Sequence, residues 1–112
     1  MGECVFCKIG AHQIPAMVVY EDGEFIAFRD IAPKAPVHIM LATKKHYNAL
    51  HECKPEEREM LGRMMLAVIE VARREGLLES GYRIVLNGGR FQAIEHLHFH
   101  ILGGRTFTWP PG

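Results

Sequence analysis

Three histidines near the carboxyl end of the chain occupy alternate positions in the run HLHFHIL, residues 96–102. Strict alternation of polar and apolar residues predicts a β-strand, because successive side chains of a strand point to opposite faces. The apolar residues of the run then face the core, and the opposite face carries His96, His98 and His100. A neutral imidazole serves as nucleophile, general base or metal ligand near neutral pH. We therefore expect this face to perform chemistry rather than to meet solvent by chance.

The spacing of these histidines limits what they can do together. Alternate residues of a strand lie about 6.6 Å apart at Cα, which lets two neighbours share a metal ion. His96 and His100 lie roughly 13 Å apart by the same rise, too far for one tetrahedral ion to bind all three histidines. At least one histidine is therefore left for catalysis, where ring N–H groups can hold a phosphate. Glycine pairs at 88–89 and 103–104 allow close backbone approach near the strand, although ordinary turns also use such pairs.

Cys4 and Cys7 have the two-residue gap of a zinc knuckle. Two alternatives are a redox pair, which requires a preceding strand that three residues cannot form, and inert buried cysteines. A tetrahedral zinc site needs two more ligands, and histidine is the available type. If His98 and His100 serve catalysis, five histidines remain, and spacing does not choose among them. The five are His12, His38, His46, His51 and His96.

Short strands must position these side chains. The runs 18–20 and 24–29 are β-type and are joined through Asp22-Gly23, a strong hairpin signal. Further strands are predicted over 37–41, 82–87 and 96–102, and two prolines make 30–36 a loop. Consecutive strands with one long helix among them predict an α+β domain with an antiparallel sheet.

One long helix is marked at both ends. Pro55 suits its first turn, acidic residues follow at 56, 57 and 59, arginines stand at 73 and 74, and Gly76 ends it. An apolar stripe at helical spacing is predicted to face the core. The stripe comprises Leu61, Met64, Met65, Val68 and Ala72. A Met-rich groove for a partner is the alternative interpretation.

Length and charge exclude several classes of protein. The 112 residues are enough for one domain, which we assign to residues 1–112. Thirteen basic residues balance thirteen acidic ones, so the chain lacks the electrostatic footprint of a protein that binds nucleic acid or an anionic membrane. No apolar run approaches the roughly 20 residues of a membrane span, and the start lacks the layout of a signal peptide. Three cysteines, an odd number, argue against a disulfide framework, and we expect a cytoplasmic protein.

Several segments together resemble the histidine triad (HIT) family, in particular its Hint-like branch of purine nucleoside phosphoramidases. The run QAIEHLHFHIL at 92–102 is similar to the family signature, and GGR at 103–105 and WPPG at 109–112 are similar to the branch. The likeness also includes CVFCKI at 4–9, FRDI at 28–31, APVH at 35–38 and KKH at 44–46, and so covers nearly the whole chain. It implies a HIT-like fold: an antiparallel sheet of about five strands, one long helix and a short N-terminal helix.

The resemblance implies a hydrolase that cleaves the P–N bond of purine nucleoside 5′-phosphoramidates, such as those of AMP or GMP. By this analogy His98 attacks phosphorus and forms a nucleotidyl-histidine intermediate that water breaks down. His100 would hold a non-bridging oxygen or assist the leaving group, and Asp30 would take the ribose hydroxyls. The implied base-binding residues are Phe6, Ile14, Phe28 and Ile31, and the residues implied near the phosphate are Asn87, Gln92 and Ala93. Ala93 stands where the family usually has serine or threonine.

The resemblance also chooses the metal ligands that spacing leaves open. Family members with the N-terminal cysteine pair commonly complete a zinc site with the histidine of the Lys-Lys-His segment and the first triad histidine. The implied ligands are Cys4, Cys7, His46 and His96. We expect one structural zinc ion per chain, because four protein ligands leave no open position for water. The resemblance further implies a homodimer.

Two other functions remain as alternatives. A sister branch of the family cleaves dinucleoside polyphosphates, but the Trp-Pro-Pro-Gly ending favours the phosphoramidase. The other alternative is a zinc-stabilised nucleotide-binding or interaction module with weak turnover, motivated by Ala93, which has no hydroxyl to offer near the leaving group. No role is assigned to Cys53, His12 or His51.

Overall fold

The computed structural model describes residues 4–112. Within this range the helices are α1 (Val5–Gly10), α2 (Arg58–Arg74) and α3 (Leu77–Ser80). The strands are β1 (Val18–Glu21), β2 (Phe25–Arg29), β3 (Val37–Thr43), β4 (Tyr82–Val85) and β5 (His98–Gly103), and 3-10 turns lie at Leu50–Glu52, Pro55–Glu57 and Gly89–Phe91. Neighbouring strands in the sheet order β1-β2-β3-β5-β4 are all antiparallel. The predicted α+β fold, with five strands, one long helix and a short N-terminal helix, is confirmed.

The two faces of the sheet bury two separate hydrophobic clusters. Alternate residues of β2 belong to different clusters, because successive side chains of a strand point to opposite faces. The larger cluster joins the sheet to α2 and to Leu77 of α3. The smaller cluster joins the sheet to α1 and consists of Phe6, Ile9, Ile26, Phe28 and Ala42. The histidine side chains of β5 lie on the α1 side.

Local signals in the sequence explain several element boundaries. The Oδ1 atom of Asp22 accepts hydrogen bonds from the backbone N–H groups of Glu24 and Phe25 (2.7 and 2.8 Å) and so fixes the β1–β2 hairpin. Helix α2 begins three residues after Pro55, because Pro55–Glu57 forms a 3-10 turn. Gly76 follows α2 with φ 75°, a left-handed conformation that suits glycine at a helix end.

The buried face of α2 differs by one position from the predicted stripe. Met64, Val68 and Ala72 are buried as predicted, and Leu61 packs at the margin of the larger cluster. The predicted burial of Met65 is wrong, since 46% of this residue is exposed. The buried face of α2 is displaced around the helix from the predicted stripe and includes three further residues, which are Met60, Ala67 and Val71.

Strand β5 begins at His98, two residues later than predicted. His96 lies in a bend, where its N–H donates to the carbonyl of Ile94 (2.9 Å), and the N–H of Leu97 donates to the carbonyl of Tyr47 (2.8 Å). These two hydrogen bonds lie outside the ladder between β3 and β5, which starts at His98. The predicted division of faces is confirmed nevertheless, because the three apolar residues that alternate with the histidines all belong to the larger cluster.

The glycine pair at 103–104 serves packing. A Cβ atom on Gly103 would lie 2.4 Å from Cδ2 of Leu77, so the end of β5 lies directly against α3. The close backbone approach expected at this pair occurs, but against the protein's own core. Strand β4 ends at Val85, two residues before its predicted end. None of the helices within residues 4–112 combines the length and apolar character that crossing a bilayer requires.

Candidate active site and metal cluster

His98 opens strand β5, and its buried side chain lies beneath α1. Its Nδ1 lies 2.6 Å from the backbone carbonyl oxygen of His96. A carbonyl oxygen only accepts hydrogen bonds, so Nδ1 carries the proton and Nε2 keeps its lone pair. Burial lowers the pKa of His98 below the ordinary value, and the bond to the His96 carbonyl opposes this shift only in part. At neutral pH, His98 is therefore a neutral imidazole with a nucleophilic nitrogen at Nε2.

A directed chain of hydrogen bonds gives His100 the opposite tautomer. The backbone N–H of Lys34 donates to Nδ1 of His38 (3.0 Å), so the proton of a neutral His38 is on Nε2. That N–H donates to Nδ1 of His100 (2.9 Å) and also lies 3.3 Å from Oδ2 of Asp30. The remaining proton of His100 is therefore on Nε2. The site thus pairs a lone pair on His98 with an N–H donor on His100, and their ring centroids are 5.0 Å apart.

Burial keeps this chain of imidazoles neutral. It is the main cause that lowers the pKa of His100 to about 4, and the neighbouring His98 and His38 lower it further. Burial also lowers the pKa of His38, although the carboxylate of Asp30 opposes that shift. Because the rings stay neutral, His98 keeps its lone pair on Nε2 and His100 keeps its proton on Nε2.

His38 is the functional residue that the sequence left without a role. The side chains of His38, Met40 and Ala42 share one face of β3, and β3 pairs with β5 so that Met40 lies opposite His100. The alternation within 37–43 was visible in the sequence. The pairing of these two strands, which brings His38 to His100, was not.

A cavity of about 410 Å³ lies between α1 and this face of the sheet. Its walls are mainly apolar, with an edge-to-face contact between Phe6 and Phe28 (centroids 5.3 Å apart). Seven residues proposed from the sequence line it beside His98, and they are Phe6, Ile14, Phe28, Asp30, Ile31, Ala93 and His100. Ile31 is 99% exposed and stands at the mouth. A mainly apolar cavity whose lining also includes two imidazoles and a carboxylate suits a flat base joined to a ribose and a phosphate.

Two proposed residues lie outside the lining of this cavity. Gln92 donates from Nε2 to the backbone carbonyl of Asn48 (2.9 Å), which ties the segment before the histidines to the segment after β3. Asn87 is half-buried and lies beyond the end of β4. Neither of these two amides belongs to the cavity wall, so their proposed place near the phosphate stays a prediction.

A second cluster brings together the four residues proposed as metal ligands. The ligand atoms of Cys4, Cys7, His46 and His96 all lie within 4.8 Å of one another. Sγ of Cys4 is 3.3 Å from Nδ1 of His96, and Sγ of Cys7 is 3.2 Å from Nδ1 of His46. A tetrahedral zinc ion with ordinary bond lengths separates its sulfur and nitrogen ligands by about 3.6 Å. The donor set and its spacing therefore fit zinc.

Both histidines of this metal cluster are oriented for ligation by their other nitrogen. Nε2 of His96 donates to the backbone carbonyl of Thr43 (2.6 Å), and Nε2 of His46 lies 2.8 Å from Oδ1 of Asn48. Each bond places the proton on Nε2 and directs the lone pair of Nδ1 toward the cysteines. Burial lowers the pKa of His96 to about 4, which keeps that lone pair free of a proton. Such oxygen partners are the usual support of metal-binding histidines.

Comparisons with known proteins agree with this architecture. The family model of the HIT domain matches residues 11–107. A 14 kDa zinc-binding protein of Brassica juncea is 45% identical over 114 residues, 98% of this chain and 100% of the relative. The adenylylsulfatase HINT1 of Arabidopsis thaliana is 46% identical over 112 residues, 96% of this chain and 76% of the relative. A crystal structure of a HIT family hydrolase from Legionella pneumophila superposes with a TM-score of 0.95 at 44% identity and covers 98% of this chain and 100% of that one.

The match to the family model extends over most of the chain, and the relatives align along nearly all of it. This chain belongs to the HIT family. Its histidine run is the triad after which that family is called, and the cysteine pair is joined in space to the first histidine of the triad.

Proposed function

We propose that this protein hydrolyses purine nucleoside 5′-phosphoramidates and releases a nucleoside monophosphate and an amine. The observation that carries the proposal is the opposite tautomers of His98 and His100 in the lining of an apolar cavity. Nucleophilic attack at phosphorus requires a lone pair, and the developing charge requires a donor beside it. Relatives described as a hydrolase and as an adenylylsulfatase support a reaction at a nucleotide phosphorus.

In the first step Nε2 of His98 attacks the α-phosphorus, and the bond from phosphorus to the amine nitrogen breaks. The N–H of His100 holds a non-bridging oxygen, and the departing nitrogen takes its proton from a water molecule. In the second step the hydroxide that this proton transfer leaves attacks the nucleotidyl-histidine, and the phosphorus–His98 bond breaks, which returns His98 to its neutral form. The sum is one phosphoramidate and one water converted to one nucleoside monophosphate and one amine.

His38 and Asp30 have supporting roles in this proposal. His38 fixes the tautomer of His100 through the 2.9 Å hydrogen bond, and Asp30 stabilises any positive charge that the two rings acquire. Oδ1 of Asp30 accepts the N–H of Ala32 (2.8 Å), which orients the carboxylate at the cavity edge. From there it can also accept the ribose hydroxyls.

The metal cluster is proposed to hold one structural zinc ion per chain on Cys4, Cys7, His46 and His96. Bound there, zinc would cross-link α1 to the segments that follow β3 and precede β5. The donor spacing described above and the zinc-binding relative support this assignment. Four protein ligands leave no position for a catalytic water, so no step of the reaction passes through the metal.

We also propose that two copies form a homodimer. Among residues 4–112, strand β4 is an edge of the five-stranded sheet, and its outer side has no strand partner. Helix α2 carries a row of exposed apolar residues, which are Met65, Leu66 and Ile69. Pairing of β4 with its symmetry mate would satisfy the edge and cover that row. We further expect the protein to act in the cytoplasm.

The test is a substrate panel with purified protein. It contains an adenosine and a guanosine phosphoramidate, a dinucleoside polyphosphate and adenylyl sulfate. Preferred cleavage of a phosphoramidate, with a nucleotidyl adduct on His98 detected by mass spectrometry after rapid quenching, is the expected result. Preferred cleavage of the dinucleoside polyphosphate would replace the proposal with the sister activity. Nucleotide binding without turnover of any member would leave a binding module.

A further inference from the structure

The metal cluster and the nucleotide cavity share one short segment of chain. Residues 4–7 have the order Cys-Val-Phe-Cys, so Phe6 lies between the two cysteine ligands. The ring of Phe6 meets the ring of His98 edge-on, with centroids 4.9 Å apart, and also packs against Phe28. Val5 and Phe6 both line the nucleotide cavity. Whatever fixes the cysteines therefore also fixes one wall of the cavity.

Helix α1 has little else to hold it in place. It contains six residues, far fewer than an isolated helix needs to be stable in water. Only Phe6 and Ile9 of α1 are buried, and both belong to the smaller cluster. Among residues 4–112, the larger cluster between the sheet and α2 contains no residue of α1. The core of the protein can therefore persist when α1 is not docked.

The backbone of the nucleophile, by contrast, is positioned by the sheet and not by α1. His98 is part of β5, which pairs with β3 on one side, where His98 lies opposite Ala42. That ladder belongs to the sheet and needs no metal. Loss of zinc should consequently disturb the cavity wall more than the aim of His98.

We propose that zinc occupancy sets the affinity for nucleotides, because the metal docks α1 and thereby places Phe6 against the nucleotide cavity. The inference rests on the proposed function, since it assumes a nucleotide in that cavity. Zinc and nucleotide then bind cooperatively, and the coupling is reciprocal: each raises the affinity for the other by the same factor. Phe6 is the positioning residue through which the coupling acts.

The test measures the Kd of AMP and of GMP by calorimetry, with the zinc-loaded chain and with the chain freed of metal by a chelator under reducing conditions. Elemental analysis verifies the two forms, and circular dichroism verifies that the metal-free chain keeps the sheet and α2. We expect the nucleotide Kd to rise about tenfold or more on removal of zinc, within the usual range of coupling between sites. Saturating nucleotide should slow zinc transfer to a chelator correspondingly. With substrate, KM should rise while kcat changes less.

Two variants separate this coupling from general stability. Phe6→Ala should retain one zinc per chain but lose the coupling, so that its nucleotide Kd differs less than about twofold between loaded and metal-free forms. Val68→Ala, in the larger cluster, should lower stability and keep the full zinc dependence. Equal nucleotide affinity with and without zinc, full zinc dependence in Phe6→Ala, or global unfolding of the metal-free chain would each overturn the inference.

The proposed function and this inference fail in different ways. A zinc-loaded chain that binds AMP or GMP with zinc-dependent affinity but cleaves no phosphoramidate supports the coupling and removes the proposed reaction. A chain that cleaves phosphoramidates with the same KM in both metal states supports the reaction and removes the coupling. A zinc-loaded chain that binds neither nucleotide contradicts both.

Discussion

His96 and His98 lie two residues apart and both are buried, but a different ring nitrogen carries the lone pair in each. His96 donates from Nε2 to the carbonyl of Thr43, so its Nδ1 faces the cysteines. His98 donates from Nδ1 to the carbonyl of His96, so its Nε2 faces the cavity. The residue type is the same, and the difference is decided by which ring nitrogen lies against a backbone carbonyl. A carbonyl oxygen thus converts one imidazole into a candidate metal ligand and the next into a candidate nucleophile.

The largest effect should follow from removal of the imidazole with the free Nε2. We expect His98→Ala to lower kcat by on the order of 10⁴-fold or more, because the covalent route is lost. Binding of AMP, measured by calorimetry, should persist, since the walls of the cavity are intact. His98→Gly with added imidazole should recover part of the rate. An alanine variant that keeps most of its activity would contradict the covalent mechanism.

Removal of a proposed zinc ligand from the metal cluster, to which His96 belongs, should lower stability. We expect Cys7→Ser to lower the zinc content and the free energy of unfolding by about 3 kcal/mol or more, a fall in Tm of roughly 10 °C or more for a domain of this size. Cys53→Ser is the matched control, because Cys53 is half-buried and lies outside the metal cluster. Its Tm should change by only a few degrees. Equal losses in the two variants would show that the pair at 4 and 7 has no special role.

The pH dependence should report the buried imidazoles. The pKa of His98 and the pKa of His100 (about 4) lie below the ordinary value of 6.5. We therefore expect kcat/KM to fall less between pH 7.5 and pH 6 than the roughly fourfold fall of a histidine of pKa 6.5, which is about three-quarters protonated at pH 6. An acid limb centred at or above pH 6.5 would contradict neutral buried rings.

The same lowered pKa values predict how stability varies with pH. The unfolded chain takes up protons on these histidines as the pH falls through 6.5, while the folded chain holds His100 neutral down to about pH 4. The free energy of unfolding should therefore decrease as the pH falls across this window.

Asp30→Asn removes the carboxylate that opposes the lowering of the pKa at His38 and His100, so the acid limb of its rate profile should move to lower pH.

The sequence predicts a feature correctly where the signal is a local pattern, and it fails where the feature depends on contacts between distant residues. Alternation within 96–102 is a local pattern, and it predicted the two faces of β5 correctly. The start of β5 and the role of His38 depend on contacts with residues more than 40 positions away, at Tyr47 and His100. Met65 was misplaced because a helical stripe defines a face only to within one residue. The metal cluster was reached by family resemblance, since spacing alone left five histidines equivalent.

Substitution of Ala93 should have the smallest effect. It tests whether the leaving group needs a donor besides the one that His100 offers to the phosphoryl oxygens. Ala93 lines the cavity with His98 and His100, and its side chain is exposed, so an added oxygen atom finds room there. A serine hydroxyl at this position can donate to the departing group or to the phosphate, whereas a methyl group cannot. If His100 already stabilises the phosphoryl oxygens, the missing hydroxyl affects mainly the leaving group. The deficit should then be large for basic alkylamines and small for activated aryl groups.

We therefore expect Ala93→Ser to raise kcat/KM on an alkyl phosphoramidate by roughly tenfold, about 1.4 kcal/mol of transition-state stabilisation. On a substrate with an activated aryl leaving group, the gain should be under about twofold, because that group departs without a proton. Ala93→Val controls for added volume without a hydroxyl and should improve neither substrate. The measurement is kcat/KM for both substrates in all three proteins. Equal gains on the two substrates would assign the hydroxyl to the phosphate instead, and no gain on either would show that the hydroxyl serves neither the phosphate nor the leaving group.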